Sequence, residues 1–438
     1  MRGLLLVLLS GVFAVGVPAA AGAQQTFVLR AAPENAPSIA ARHGLTIISQ
    51  TTDGVVGVFL VSTPTELPGI IDEVTSDAAV ISFERDHTLA IPEAISGRLN
   101  QSTAAILETL PDRTIISYYG RNVWRGYAYQ PAALLIGAVT AHATATGGGT
   151  VAIIDTGIDV NHPVLAGAIV PGFDFVRNQP TTTSDLSSLS QSTAAILEMQ
   201  QVGAPMRAAL VNQSTAAILE QSTAAILESN PLPPAFGHGT MVAGLIRLVA
   251  PGTQIMPLRA FGLDGSADVF NIERAIYYAV DHGANVINMS FSLQDWSAEL
   301  VRAINYASEH RVICVASAGN GGQETLVFPS GFRHVIGVGS TNALDQRSAF
   351  SNYGNGLVLI AAPGEGLITS FPGDRYAVVS GTSFSAALVS GAAAMVEQLA
   401  PGIEPTDAQE VLSRAIRIGQ DLGQGRLDLS LVLQRPLR

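Results

Sequence analysis

Val151-Ala152-Ile153-Ile154-Asp155-Thr156-Gly157-Ile158 reads as a short apolar strand that ends in an acidic residue and a glycine turn. Four consecutive apolar residues lack the alternation of a half-exposed strand, so this one is expected to be buried on both faces of a sheet. The same kind of strand recurs at 255–259, 286–289, 312–316, 335–338 and 358–361, with helical spacing at 270–282 and 299–310 between them. Apolar strands alternating with amphipathic helices predict an α/β domain around a largely parallel, doubly covered sheet. Ligands of such sheets gather outside the carboxyl ends of the strands, where Asp155 stands. Taken alone, Asp155 serves equally well as a metal ligand or a turn cap, and Asp159 reads as a capping or surface residue. Cys314, inside the strand at 312–316, reads as a packed core thiol.

Upstream the rhythm differs. Extended segments at 26–30, 55–61 and 79–83 alternate with helical ones at 37–44 and 67–74, which predicts a small α+β unit over 24–92. A poorly periodic stretch at 93–130, with Tyr118, Tyr119, Trp124, Tyr127 and Tyr129, reads as a junction. Residues 1–23 open with Met1-Arg2, continue as an apolar run to about Val17 and end in small residues, the order of an export signal removed on secretion. The run is barely long enough to span a bilayer, so a retained anchor is the alternative. No later stretch reads as a membrane span, and the expected destination is secreted or periplasmic.

The 438 residues are 47% hydrophobic and 6% aromatic, enough for one large core and a smaller one. Lys and Arg number 23 against 35 Asp and Glu, and the formal charge of -12 gives no general attraction to nucleic acid or anionic lipid. The single cysteine rules out an internal disulfide and is neutral on compartment.

Gln-Ser-Thr-Ala-Ala-Ile-Leu-Glu begins at Gln101, Gln191, Gln213 and Gln221. So short a unit cannot stack as a helical solenoid, and identical copies amid dissimilar flanks read as inserted sequence. Three copies fall within 178–234, a low-complexity insertion whose closure cost rises only slowly with length.

His238 lies in Phe236-Gly237-His238-Gly239-Thr240, between glycines that permit close backbone approach. No His-x-x-x-His or cysteine pair accompanies it, which weakens a metal reading. Ser383 lies in Ser380-Gly381-Thr382-Ser383-Phe384-Ser385, after a strand-like 376–379 and before an apolar helix. There it is either a helix N-cap or a hydroxyl presented to unpaired amides. Together the three suit acyl transfer, with Ser383 as nucleophile, His238 as general base and Asp155 fixing the imidazole. Asn320, at the end of Ser317-Ala318-Gly319-Asn320, can donate its amide to the oxyanion or cap a turn with Gly321 and Gly322.

At these motifs the chain resembles the subtilisin family of serine peptidases. Residues 151–158 resemble its aspartate motif, Gly237-His238-Gly239-Thr240 its histidine motif, Gly381-Thr382-Ser383 its nucleophile motif and Asn320 its oxyanion asparagine. Val286-Ile287-Asn288-Met289-Ser290 resembles the strand whose continuation lines a peptide cleft, so the resemblance assigns substrate binding to Ser290, Phe291, Ser292, Ser317, Ala318 and Gly319. It covers most of 131–400.

The resemblance implies a three-layer α/β/α peptidase domain over 131–435 with a mostly parallel central sheet. Ahead of it, 24–92 is implied to be a ferredoxin-like α+β propeptide that inhibits the enzyme and is cut by it. The implied partners are peptide or protein substrates and the chain's own propeptide, without nucleic acid or stable membrane insertion. No cofactor is required for the chemistry. Calcium is common in the family, yet no Asp-x-Asp-x-Asp-Gly loop is present, so no metal residue is assigned.

The chain departs from the family pattern at Phe291-Ser292-Leu293, where a leucine and glycines are usual, and at Phe384-Ser385-Ala386-Ala387-Leu388 after the nucleophile. A silent peptide-binding or inhibitory domain of the same fold, its cleft obstructed by Phe291, Phe384 or the insertion, is the competing reading. An α/β-hydrolase esterase is disfavoured, because the Ser383 motif lacks the final glycine of Gly-x-Ser-x-Gly and the order Asp, His, Ser is wrong for it.

Overall fold

The computed structural model describes residues 25–52, 55–63, 69–91, 112–180, 209–212, 215–216, 233–419 and 421–434. The export signal and all octapeptide copies fall outside them, except for Thr215–Ala216, which forms a short strand. The chain divides into two compact units, Met1–Gln50 with Val56–Arg85, and Thr51–Val55 with Asp86–Arg438.

In the first unit, the strands Gln25–Ala31, Thr46–Thr52, Gly57–Thr63 and Val80–Arg85 form one sheet, with the helices Ala36–Arg42 and Ile70–Thr75 between them in sequence. Gln25–Ala31 sits in the middle, antiparallel to both Gly57–Thr63 and Val80–Arg85. Phe27, Leu29, Phe59, Val61 and Phe83 build its core, and the Phe27 and Phe83 rings stack 4.9 Å apart. Thr46–Thr52 was not expected; it alternates intermediate and exposed positions and carries no apolar run to signal it.

In the second unit the central sheet has ten strands, in the order Gln179–Pro180, Phe173–Asp174, Gln254–Arg259, Thr150–Asp155, Val286–Met289, Ile313–Ser317, Val335–Thr341, Ile360–Pro363, Arg426–Leu427 and Ala415–Ile416. Only the outermost pairs at each end are antiparallel. Strand alternation splits the side chains between two cores: Val151, Ile153, Ile313 and Val315 face one, and Ala152, Ile154, Cys314 and Ala316 the other. The helices His238–Val249 and Thr382–Leu399 contribute to the first core, and Val269–Asp281 and Ala298–Glu309 to the second. This is the three-layer α/β/α architecture with a mostly parallel sheet that the sequence predicts.

Gly391 lets the two helices of the first layer meet closely, since a Cβ there would stand 2.7 Å from that of Val249. Cys314 is buried, and burial pushes its thiol up to about 12, so it is a core side chain. Ile115–Tyr118 and Arg121–Trp124 form a hairpin, and Tyr118, Val123 and Tyr127 pack into the first core. Among the described residues no helix is long and apolar enough to cross a membrane.

The chain runs from Thr150–Asp155 to Gln254–Arg259 on one side and then to Val286–Met289 on the other. The sheet therefore reverses its winding at Thr150–Asp155, and a crevice forms at such a switch point outside the carboxyl end of the strand. Asp155 is that end.

Candidate active site

Asp155 is 1% exposed, and so is His238, the first residue of its helix. His238 Nδ1 lies 2.9 Å from Asp155 Oδ1 and 2.8 Å from Oδ2, and the backbone N–H of Thr156 donates to Oδ1 at 2.7 Å. A carboxylate facing Nδ1 keeps the proton there and leaves the lone pair on Nε2. The approach depends on Gly239, where a Cβ would fall 2.2 Å from the Gly157 carbonyl oxygen and 3.1 Å from Asp155 Cβ.

Ser383 is the second residue of Thr382–Leu399, among the amides that a helix leaves unpaired at its N-terminus. Its Oγ donates to the Ser290 carbonyl oxygen at 3.2 Å, while Ser290 Oγ donates to the Ser383 carbonyl oxygen at 3.1 Å. The next residue, Phe384, sets its ring 5.5 Å from that of His238, so this helix end and the imidazole are neighbours.

Asn320 is oriented by Thr382. The Thr382 backbone N–H donates to Asn320 Oδ1 at 3.0 Å and its hydroxyl at 2.8 Å. Because the backbone N–H can only donate, the amide oxygen must face Thr382, and Nδ2 is turned to the other side. Thr382 carried no signal in the sequence beyond its place before Ser383.

The remaining sequence-predicted residues divide. Ser290 touches Ser383, and Ser292 and Gly319 line a cavity of about 500 Å³ together with Asn320, Leu293 and Val327. Phe291, Ser317 and Ala318 are fully buried. The Phe291 ring packs 5.1 Å from that of Phe261, inside the second core.

The sequence reading missed a strand in this region. Thr88–Ala90 pairs antiparallel with Ser266–Asp268, and Ala90 exchanges backbone hydrogen bonds of 3.2 and 3.0 Å with Ser292 on its other side. The N–H of Ile91 donates to the Gly265 carbonyl at 2.9 Å. Residues 88–91 thus run between Ser266–Asp268 and Ser292, with Leu89 and Ile91 turned into the core. Ser266–Asp268 is too short to show a period.

Among the described residues no group of three or more His, Cys, Asp or Glu side chains is placed to hold a metal. A buried carboxylate–imidazole pair beside a serine at a helix N-terminus is equipped for proton transfer and nucleophilic attack.

A family model described as the Subtilase family matches residues 146–430. The thermophilic serine proteinase of Bacillus sp. (strain AK1) is 33% identical over 273 residues, 62% of this chain and 58% of that protein. Thermitase of Thermoactinomyces vulgaris is 32% identical over 249 residues, 57% of this chain and 75% of thermitase. The chain thus matches less than two thirds of the first relative's length. In structure it is similar to fervidolysin of Fervidobacterium pennivorans, a keratinolytic enzyme related to subtilisin, with a TM-score of 0.67 and 21% identity over 95% of this chain and 62% of the other. That likeness bears on the fold.

Proposed function

The chain belongs to the subtilase family, and on that premise we propose that it is a secreted serine endopeptidase in which Asp155, His238 and Ser383 are the catalytic triad. The observation that carries this reading is the buried pairing of His238 Nδ1 with both oxygens of Asp155, beside the helix end that bears Ser383.

In the proposed reaction Ser383 Oγ leaves the Ser290 carbonyl and attacks the carbonyl carbon of a peptide bond, while His238 Nε2 takes its proton. The tetrahedral oxyanion meets Asn320 Nδ2 and the Ser383 N–H. His238 then returns the proton to the departing amine, which leaves an acyl-enzyme. Water activated by the same imidazole releases the acid. Asp155 holds the imidazolium in place. Ser292 and Gly319 line the substrate-binding region beside Ser290, Ser292 by backbone pairing of the kind Ala90 makes with it, whereas Phe291, Ser317 and Ala318 are buried behind it and leave the predicted set. No cofactor enters these steps.

The burial of Phe291 and Phe384 removes two of the three obstructions that the silent peptide-binding reading invokes, and so favours an open site. Secretion rests on the order of residues 1–23. Residues 24–92 are proposed as an inhibitory propeptide, and the strand at 88–91 supports this, because it fills the place of an added peptide strand. The test is acylation of Ser383 by an active-site serine reagent after removal of the pro-segment, with Ser383→Ala as control. A folded protein whose serine does not react would favour the silent domain.

A further inference from the structure

The strand Val286–Met289 places a polar side chain, Asn288, in the middle of an apolar run, paired with Ile153 on one side and Val315 on the other. Asn288 is fully buried, where an amide is costly unless both its ends find partners. Both do. Nδ2 donates to Ser390 Oγ at 2.9 Å, and Oδ1 accepts from Ser290 Oγ at 2.9 Å. The Ser290 hydroxyl is shared with the Ser383 carbonyl oxygen at 3.1 Å, and the Ser290 carbonyl accepts from Ser383 Oγ at 3.2 Å.

Ser383 and Ser390 lie on one helix, about two turns apart. The polar chain therefore ties that helix to the central sheet at two points, one at the proposed nucleophile and one deeper in the layer. Around the second point the helix carries Leu388, Val389, Ala392 and Ala393, whose contacts have no direction of their own, so the polar chain supplies the directional contact there. A displacement near 1 Å at a reacting group costs about a hundredfold in rate.

We infer that Asn288 is a positioning residue, which acts through Ser290 and Ser390 to fix the depth and rotation of the helix that presents Ser383. The inference rests on Ser383 being the nucleophile. It assigns Asn288 no contact with substrate, so its removal acts on kcat and leaves KM nearly unchanged.

The experiment compares wild type, Asn288→Leu, Ser390→Ala and the double variant, each expressed as the full chain and freed of the pro-segment before assay. The acylation rate by a chromogenic ester is measured per active site, with sites counted by burst amplitude, so that unfolded protein does not contribute. Asn288→Leu keeps the side-chain volume and should acylate at least tenfold more slowly, with KM within threefold of wild type. Ser390→Ala should lose about threefold. The double variant should be no slower than Asn288→Leu, because both changes break the same chain. Per-site acylation of Asn288→Leu within twofold of wild type, or losses that multiply in the double variant, overturns the inference alone. Should Asn288→Leu not fold, unchanged per-site acylation in Ser390→Ala overturns it. A wild type that is not acylated overturns the endopeptidase reading beneath it.

Discussion

Thr382 holds the amide of Asn320 in one orientation: its backbone N–H and its hydroxyl both donate to Asn320 Oδ1, at 3.0 and 2.8 Å. The same hydroxyl accepts the Gly319 N–H at 3.1 Å. The residue before the proposed nucleophile thus sets the proposed oxyanion donor, and a donor fixed in advance costs no reorganisation when charge develops.

Replacing Asn320 by Ala should lower kcat by roughly two to three powers of ten, the range seen when such a donor is removed from a subtilisin. KM should change little, because the bond forms only in the transition state. Thr382→Val keeps the backbone donor and removes the hydroxyl, so its loss should be smaller and in the same direction. Steady-state kinetics of both variants check this, and a matching fall of kcat and thermal stability in Asn320→Ala would point to a turn-capping role.

Ser383→Ala should abolish peptide hydrolysis and leave the fold intact. The lost hydroxyl donates to the Ser290 carbonyl, and such a bond contributes about 0.5 to 1.5 kcal/mol. Activity against a protein substrate, with circular dichroism as a check on folding, tests it. Specific hydrolysis retained by the purified variant would sink the nucleophile assignment.

The sheet was legible because its strands are runs of Val, Ile and Ala long enough to be buried twice over, and the site because Asp155, His238 and Ser383 sit at strand and helix ends that glycine marks. Thr46–Thr52 was not, since an alternating strand of Thr, Ile, Ser and Gln makes no apolar run. The aromatic stretch before Pro131 has no period either; its order comes from distant partners, with Tyr118 Oη donating to Leu248 O and Tyr127 Oη to Gly244 O. The orienting role of Thr382 and the two-sided pairing of Ala90 likewise depend on residues far away in the chain.

His162 should make the protein acid-sensitive. It is fully buried, its Nδ1 accepts the Val164 N–H at 3.2 Å and its Nε2 faces the Arg375 carbonyl at 2.7 Å, an arrangement only the neutral ring satisfies. Burial lowers its pKa from the usual 6.5. The unfolded chain therefore binds the proton first, so this contribution to stability is present above about pH 6.5 and is lost as pH falls through the folded value. Denaturant midpoints measured from pH 7.5 downward should fall below that point, and His162→Gln should flatten the fall. An unchanged slope in a folded His162→Gln protein would assign acid sensitivity to other groups.

The chain should be exported as a precursor, lose residues 1 to about 23, and then cut itself between Ile91 and Pro131. Export follows from the basic, apolar and small-residue order of the N-terminus. Self-cutting is argued from the strand at 88–91. Ala90 pairs antiparallel with Ser292, so a peptide that continues in this register advances toward Ser290, whose carbonyl oxygen holds Ser383 Oγ. The bond to be cut therefore lies beyond Ile91 and not within the small unit. Because strand and serine belong to one chain, the cut should follow first-order kinetics, with a half-time unaffected by dilution. N-terminal sequencing should find the wild type beginning after Ile91, and Ser383→Ala should accumulate with an N-terminus near Gln24. A Ser383→Ala protein processed at the wild-type position without any added or host peptidase would rule out self-cleavage. It would leave the triad to be judged by the hydrolysis measurements alone.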